Sequence, residues 1–167
     1  SYRRSLSLEE AVASCVYTAG GVTYRREVFT SLADDVMVVR LTTDCPKALS
    51  FAAFFESPFQ REVRSTDDGR DLFLAGRAGV SHYSQGAIRY AAHLKANVTD
   101  GEVSADNGVL FVRGATSVTL LYSAATSFVN WQDGASGDEK ARCDDRLAKA
   151  ATLSYDALRT RHVANYR

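Results

Sequence analysis

Along roughly the first 130 residues, apolar and polar side chains alternate with a period of two; after that the period lengthens to that of a helix. Leu8 to Thr18 reads as a strand, Ala19-Gly20-Gly21 as a turn, and Val22 to Ser31 as the hairpin partner. After a turn at Leu32 to Asp35, the segment Val36 to Thr43 places Met37, Val39 and Leu41 on one face. A turn at Asp44-Cys45-Pro46-Lys47 leads into Ala48 to Ser57, with Leu49, Phe51, Ala53 and Phe55 on one side. Ser57 to Gly69 reads as a polar loop and Asp71 to Ala75 as a short strand. Ala87 to Val98 alternates most cleanly. Ile88, Tyr90, Leu94 and Val98 should point inward, and Arg89, His93, Lys95 and Asn97 toward solvent. Asp100-Gly101 and Asn107-Gly108 are hairpin signals around one short strand, and Val109 to Arg113 follows. Val118 to Phe128 is apolar on both faces, which predicts a central strand covered from both sides.

The rhythm of strands and turns predicts a mainly β protein, an antiparallel β-sandwich, closed by a C-terminal pair of α-helices. Residues 1–129 form the sandwich in this reading, and 130–167 a glycine-bearing linker with the helices. Glu139 to Ala151 carries Cys143, Leu147, Ala150 and Ala151 at helical spacing. The second helix starts at the N-cap Ser154, with Asp156 at the positive end of its dipole. Tyr155, Leu158, His162 and Tyr166 make its face, and no Gly or Pro ends it before Arg167. That face has one helical neighbour to pack on. Leu158, His162 and Tyr166 are therefore expected at a junction with further polypeptide.

Charge narrows the function classes. Twenty basic residues balance twenty acidic ones. Nucleic-acid and anionic-membrane surfaces need a basic excess, so neither partner is expected. No apolar run approaches the ~20 residues of a membrane span. Cys15, Cys45 and Cys143 are odd in number and widely spaced, with no metal-ligand spacing and no CxxC, so free thiols are expected. No cofactor is implied.

Candidate chemistry is sparse. Asp34-Asp35, Asp67-Asp68 and Asp144-Asp145 are paired carboxylates, but neighbours in sequence point different ways, and solvated turn or helix positions are expected of them. His82, His93 and His162 have no metal spacing. His93 is expected to be exposed and His162 half-buried. His82, in a loop beside Tyr83, is a candidate ligand-binding residue. Trp131 is the other: it could stack on a sugar ring, although a packing anchor is the expected role for a lone Trp where strands give way to helices. Asn97-Val98-Thr99 is a glycosylation sequon.

Four segments, in order, carry a resemblance: Tyr2 to Ala11 leading into Val22 to Phe29, Val38 to Leu41 with Leu49 to Phe51, Val118 to Phe128, and Leu153 to Tyr166. Together they resemble the N-terminal region of family 95 glycoside hydrolases, the α-L-fucosidases. The resemblance implies a β-supersandwich of the galactose-mutarotase-like kind whose opening strands precede Ser1. It also implies a helical linker, then an (α/α)6 barrel beyond Arg167 that hydrolyses α-linked L-fucose with inversion. No catalytic residue of the family maps onto this chain. The implied partners are the rest of the polypeptide and, through it, fucosylated glycans; the implied location of the whole protein is secreted or periplasmic. A different class, an independent carbohydrate-binding or adhesion module, uses the same architecture, but such a module has no need of the helical tail.

Overall fold

The computed structural model describes residues 1–59, 61–66, 68–81 and 84–167. In chain order the strands are β1 (Tyr2–Ser7), β2 (Val12–Ala19), β3 (Val22–Ser31), β4 (Val36–Thr43), β5 (Leu49–Phe54), β6 (Arg61–Ser65) and β7 (Leu72–Arg77). Then come β8 (Val80–Ser81), β9 (Ser84–Gln85), β10 (Arg89–Thr99), β11 (Glu102–Asp106), β12 (Val109–Ala115) and β13 (Ser117–Thr126). The helices are α1 (Glu139–Ala150) and α2 (Tyr155–Tyr166).

Every pairing is antiparallel, and turn chemistry explains the tight hairpins. Gly20 and Gly21 (φ 58° and 79°) join β2 to β3, and Asn107 and Gly108 (φ 49° and 76°) join β11 to β12. Two expectations are corrected. Leu8 does not open a strand: residues 8–11 turn, with Ala11 at φ 49°, so that Ser7 pairs with Val12. Within the expected polar loop, β6 pairs with β7 at the sheet edge. Val63 is its one apolar side chain, too little for alternation to register.

The large sheet runs β1-β2-β3-β4-β13-β10-β7-β6, and the small sheet β11-β12-β5 lies over one of its faces. Leu72, Leu94 and Val118 of the large sheet meet Leu49, Leu110, Val112 and Ala115 of the small one in the core between them. As expected, β13 is central, flanked by β4 and β10.

Both helices cover the opposite face, and here the sequence reading needs its main correction. They do not pack chiefly on each other. Val12, Phe29, Val36, Val38 and Leu121 of the sheet enclose Leu147, Ala150 and Leu158 of the helices in a second core, while Phe73 and Ala91 meet Cys143 in a third cluster. The supposed solvent side of β10 is thus the floor beneath α1, and Ala91 is 1% exposed. Burying a Leu such as Leu158 contributes about 1.5–3 kcal/mol, which is why the apolar stripe lies on the sheet and not in water. The Asp138 carboxylate caps α1 by accepting from Ala141 N, and the Ser154 hydroxyl caps α2 by accepting from Ala157 N.

Candidate functional site

Helix α2 is fastened residue by residue. The Tyr155 hydroxyl donates to Glu27 Oε2 at 3.0 Å, and the Arg40 guanidinium lies over its ring. Burial, reinforced by the Glu27 charge, pushes the Tyr155 phenol well above its ordinary pKa. Arg159 pairs with Glu10 at 2.6 Å and Arg161 with Asp34 at 2.8 Å. The His162 ring stacks 4.6 Å from Phe29, and its Nε2–H donates to the Glu10 carbonyl at 2.9 Å. The three residues expected at a junction therefore part ways. Leu158 and His162 are buried against the sheet, and Tyr166 is half exposed. Beside Tyr166 opens a recess of about 400 Å³ whose lining includes Leu6, Leu32, Phe29 and His162.

Trp131 sits on the loop that carries the chain from β13 to α1, and that loop is tied down. Ser127 N donates to the Arg89 carbonyl, Gly137 N to the Ser127 carbonyl, and Arg142 Nη1 to the carbonyls of Thr126 and Phe128, all at 2.8–2.9 Å. Asn130 Oδ1 accepts from Gln132 N and Asp133 N, and Asn130 Nδ2 donates to Asp133 Oδ2. A Cβ on Gly137 would meet Ser127 O at 3.0 Å and the Arg142 guanidinium at 2.7 Å, so a larger residue there would push the arginine aside. The frame holds Trp131 outward at 85% exposure, next to Phe128 and Val129. Among the described residues no element lies over the loop, so Trp131 packs against nothing within this chain. His82 lies outside the described residues.

A charged cluster that sequence reasoning missed fixes α1 to the sheet. His93 Nδ1 is 2.9 Å from Asp144 Oδ1 on α1, and His93 Nε2 is 3.5 Å from Asp71 Oδ2 at the start of β7. Lys95 Nζ donates to Asp71 at 2.8 Å, and Lys140 pairs with Asp144. Either neutral tautomer of His93 would turn a nitrogen lone pair toward a carboxylate; only the imidazolium suits both. Burial pushes the His93 pKa down, but the hydrogen bonds and charges of Asp71 and Asp144 outweigh it and hold the value above the ordinary one. Burial likewise opposes ionisation of Asp71 and Asp144. For Asp71, the partners His93 and Lys95 win and keep it below its usual range; for Asp144, Lys140 and His93 do. His93 is thus not the exposed residue expected of it. The one available signal was Ala91, a small residue between Arg89 and His93 where a helix approaches closely.

Among the described residues the paired carboxylates divide between structural work and solvent; Asp67 lies outside those residues. Asp34 is 6% exposed, accepting from the Ser31 hydroxyl and from Arg161, not solvated as expected. Asp68 accepts from Thr66 Oγ1 and Arg70 N in its turn, and Asp145 is exposed. Cys15, Cys45 and Cys143 are free thiols. Among the described residues, no group of His, Cys, Asp or Glu could hold a metal ion, and no helix is long and apolar enough to cross a membrane. A cleft of about 640 Å³ between β5 and strands β2–β4 is lined by Tyr17, Tyr24, Arg26 and Phe51, with no carboxylate. A second of about 430 Å³, lined by Phe55, Phe59, Tyr90 and Tyr122, has only Glu56. Glycoside hydrolysis ordinarily needs two carboxyl groups flanking the sugar. Neither cleft offers them.

Fold and packing together define a β-sandwich domain backed by two helices. Residues 1–131 match the family model described as glycosyl hydrolase family 65, N-terminal domain, and the chain belongs to that family. It is 27% identical to Alpha-L-fucosidase 2 of Arabidopsis thaliana and 27% identical to a protein named as a probable alpha-fucosidase A of Aspergillus niger. Each match covers 99% of this chain but 22% of the relative, so the chain spans about a fifth of their length. A solved structure described as a kojibiose phosphorylase from the human microbiome superposes with a TM-score of 0.55 at 10% identity, over 99% of this chain and 22% of that one. That likeness is one of fold.

Proposed function

We propose that this chain is the accessory N-terminal domain of a longer inverting α-L-fucosidase, and that it supports and positions a helical catalytic barrel without supplying the chemistry. The observation that carries this reading is the match of nearly the whole chain to about a fifth of two proteins named as α-fucosidases. The clefts agree, since neither presents a carboxylate pair. Among the described residues the sheets are unequal, eight strands against three, and β5 has an unpaired edge beside the larger cleft, which supports a further point: strands preceding Ser1 would complete the small sheet. In the parent, one carboxylic acid of the barrel would protonate the leaving oxygen and a carboxylate roughly 6.5–9.5 Å away would activate water on the opposite face of the sugar.

The test uses an aryl α-L-fucoside and 2′-fucosylated lactose with both this chain and the full-length parent, following the product anomer by proton NMR. The parent should release β-L-fucose first, and this chain should release none. Turnover by this chain would mean that an active site lies within it. A parent active only on another α-linked sugar would remove the substrate assignment and leave the domain role standing. An independent sugar-binding module is favoured by one observation, the exposed Trp131; saturable binding of fucosylated lactose by this chain in calorimetry would support that reading instead.

A further inference from the structure

We propose that the end of the sandwich where α2 finishes is the docking surface for the polypeptide that follows Arg167, with the Trp131 loop as a rigid anchor and the recess beside Tyr166 as a socket. This rests on the reading above that the chain is the first domain of a longer enzyme.

Register places the parts at one end. Ser7 pairs with Val12 and Ser31 with Val36, so the β1–β2 and β3–β4 turns lie together. Met37 pairs with Tyr122 and Thr126 with Tyr90, which brings the loop after β13 to that same end. Arg161 on Asp34 and Arg167 on the Glu9 carbonyl bring the last turn of α2 there too. This end exposes Leu8 and Leu32 at 75% each, Trp131 at 85%, and also Phe128, Val129 and Tyr166. The opposite end, made of Gly20-Gly21, Asp44 to Lys47, Asp100-Gly101 and Thr116, is polar or small apart from Tyr2, which pairs with Tyr17 and is 66% exposed. Clustered exposed apolar groups mark an interaction surface, and most of the exposed large apolar side chains lie at this end.

Three observations choose the occupant. Helix α2 delivers the chain's last residue onto this surface. The matched family is by name an N-terminal domain, and most of the relatives' length lies outside the matched part. Asn130 and Asp133 use their side chains inside the loop, which leaves apolar faces outward and suits a protein surface better than a hydroxyl-rich glycan. A pre-ordered Trp pays little entropy on burial and makes a good anchor.

Hydroxyl-radical footprinting of the full-length parent, read by mass spectrometry against a free-tryptophan dosimeter, tests this. Trp131 and Tyr166 should be oxidised severalfold more slowly than their exposure here implies, at every protein concentration. Oxidation of Trp131 at nearly the dosimeter rate would overturn the proposal. So would protection that disappears on dilution, because the occupant would then be a second copy. The two readings fail separately: a parent active on fucosides with Trp131 freely oxidised sinks the docking surface alone, and a protected but fucoside-inactive parent sinks the fucosidase assignment alone.

Discussion

Leu158 and Trp131 show how differently two large apolar side chains are used. Leu158 is fully buried between α2 and the sheet, and Trp131 projects from a loop at 85% exposure. Truncating Leu158 to Ala removes core atoms and leaves a cavity, so Leu158→Ala should cost about 2–5 kcal/mol in urea unfolding of this chain. Trp131→Ser should change it by no more than about 0.5 kcal/mol, as surface replacements do. Comparable losses from the two would mean that Trp131 is packed after all. Helical period alone marked Leu158 as a contact residue. Nothing periodic governs a loop, so the fate of Trp131 was set by the hydrogen bonds of Asn130 and Arg142, which no reading of neighbours in sequence displays.

Helix α1 is held partly by charge, and its hold should follow pH. The His93 pKa is raised on folding, so its contribution is complete below the ordinary histidine value and is lost as pH rises through the folded one. Asp71 and Asp144 have lowered values; their contribution is present above the usual carboxylate range and is lost as pH falls through the folded values. Stability should therefore plateau between these limits and decline above neutrality. Amide exchange in residues 139–150 should quicken on the alkaline side, and His93→Gln should flatten that limb. An alkaline limb unchanged in His93→Gln would show that the cluster does not hold α1. At this scale β13 was legible because both its faces are apolar. The outer face of β10 was not, because Arg89, His93 and Lys95 read as solvent-facing until α1 brings Glu139 and Asp144 over the first two and β7 sets Asp71 beside His93 and Lys95. The edge strands β1 and β6 lacked a clear boundary or a buried face, so period-two patterning was weakest there.

At the scale of the molecule, the helices belong to the fold. A chain cut after residue 138 would lay Val12, Phe29, Val36, Val38 and Leu121 open to water. Such a truncation should bind hydrophobic dye and aggregate where the full chain stays monodisperse. A soluble, dye-silent truncation would return α1 and α2 to the status of a linker.

The place of β13 has a consequence for the order in which the protein is made. It is the last strand in the chain and sits in the middle of the sheet, with Val118 opposite Leu41 of β4 on one side and Val98 of β10 on the other. While the ribosome is still short of residue 117, β1–β4 and β6–β7–β10 can exist only as two separate ribbons, and β4 and β10 each present a bare edge. A single late segment then zips the ribbons together across partners that lie tens of residues away in sequence, the slow kind of closure. Assembly of this sheet is thus deferred until its keystone emerges, and the nascent ribbons must keep their open edges from strangers until it does.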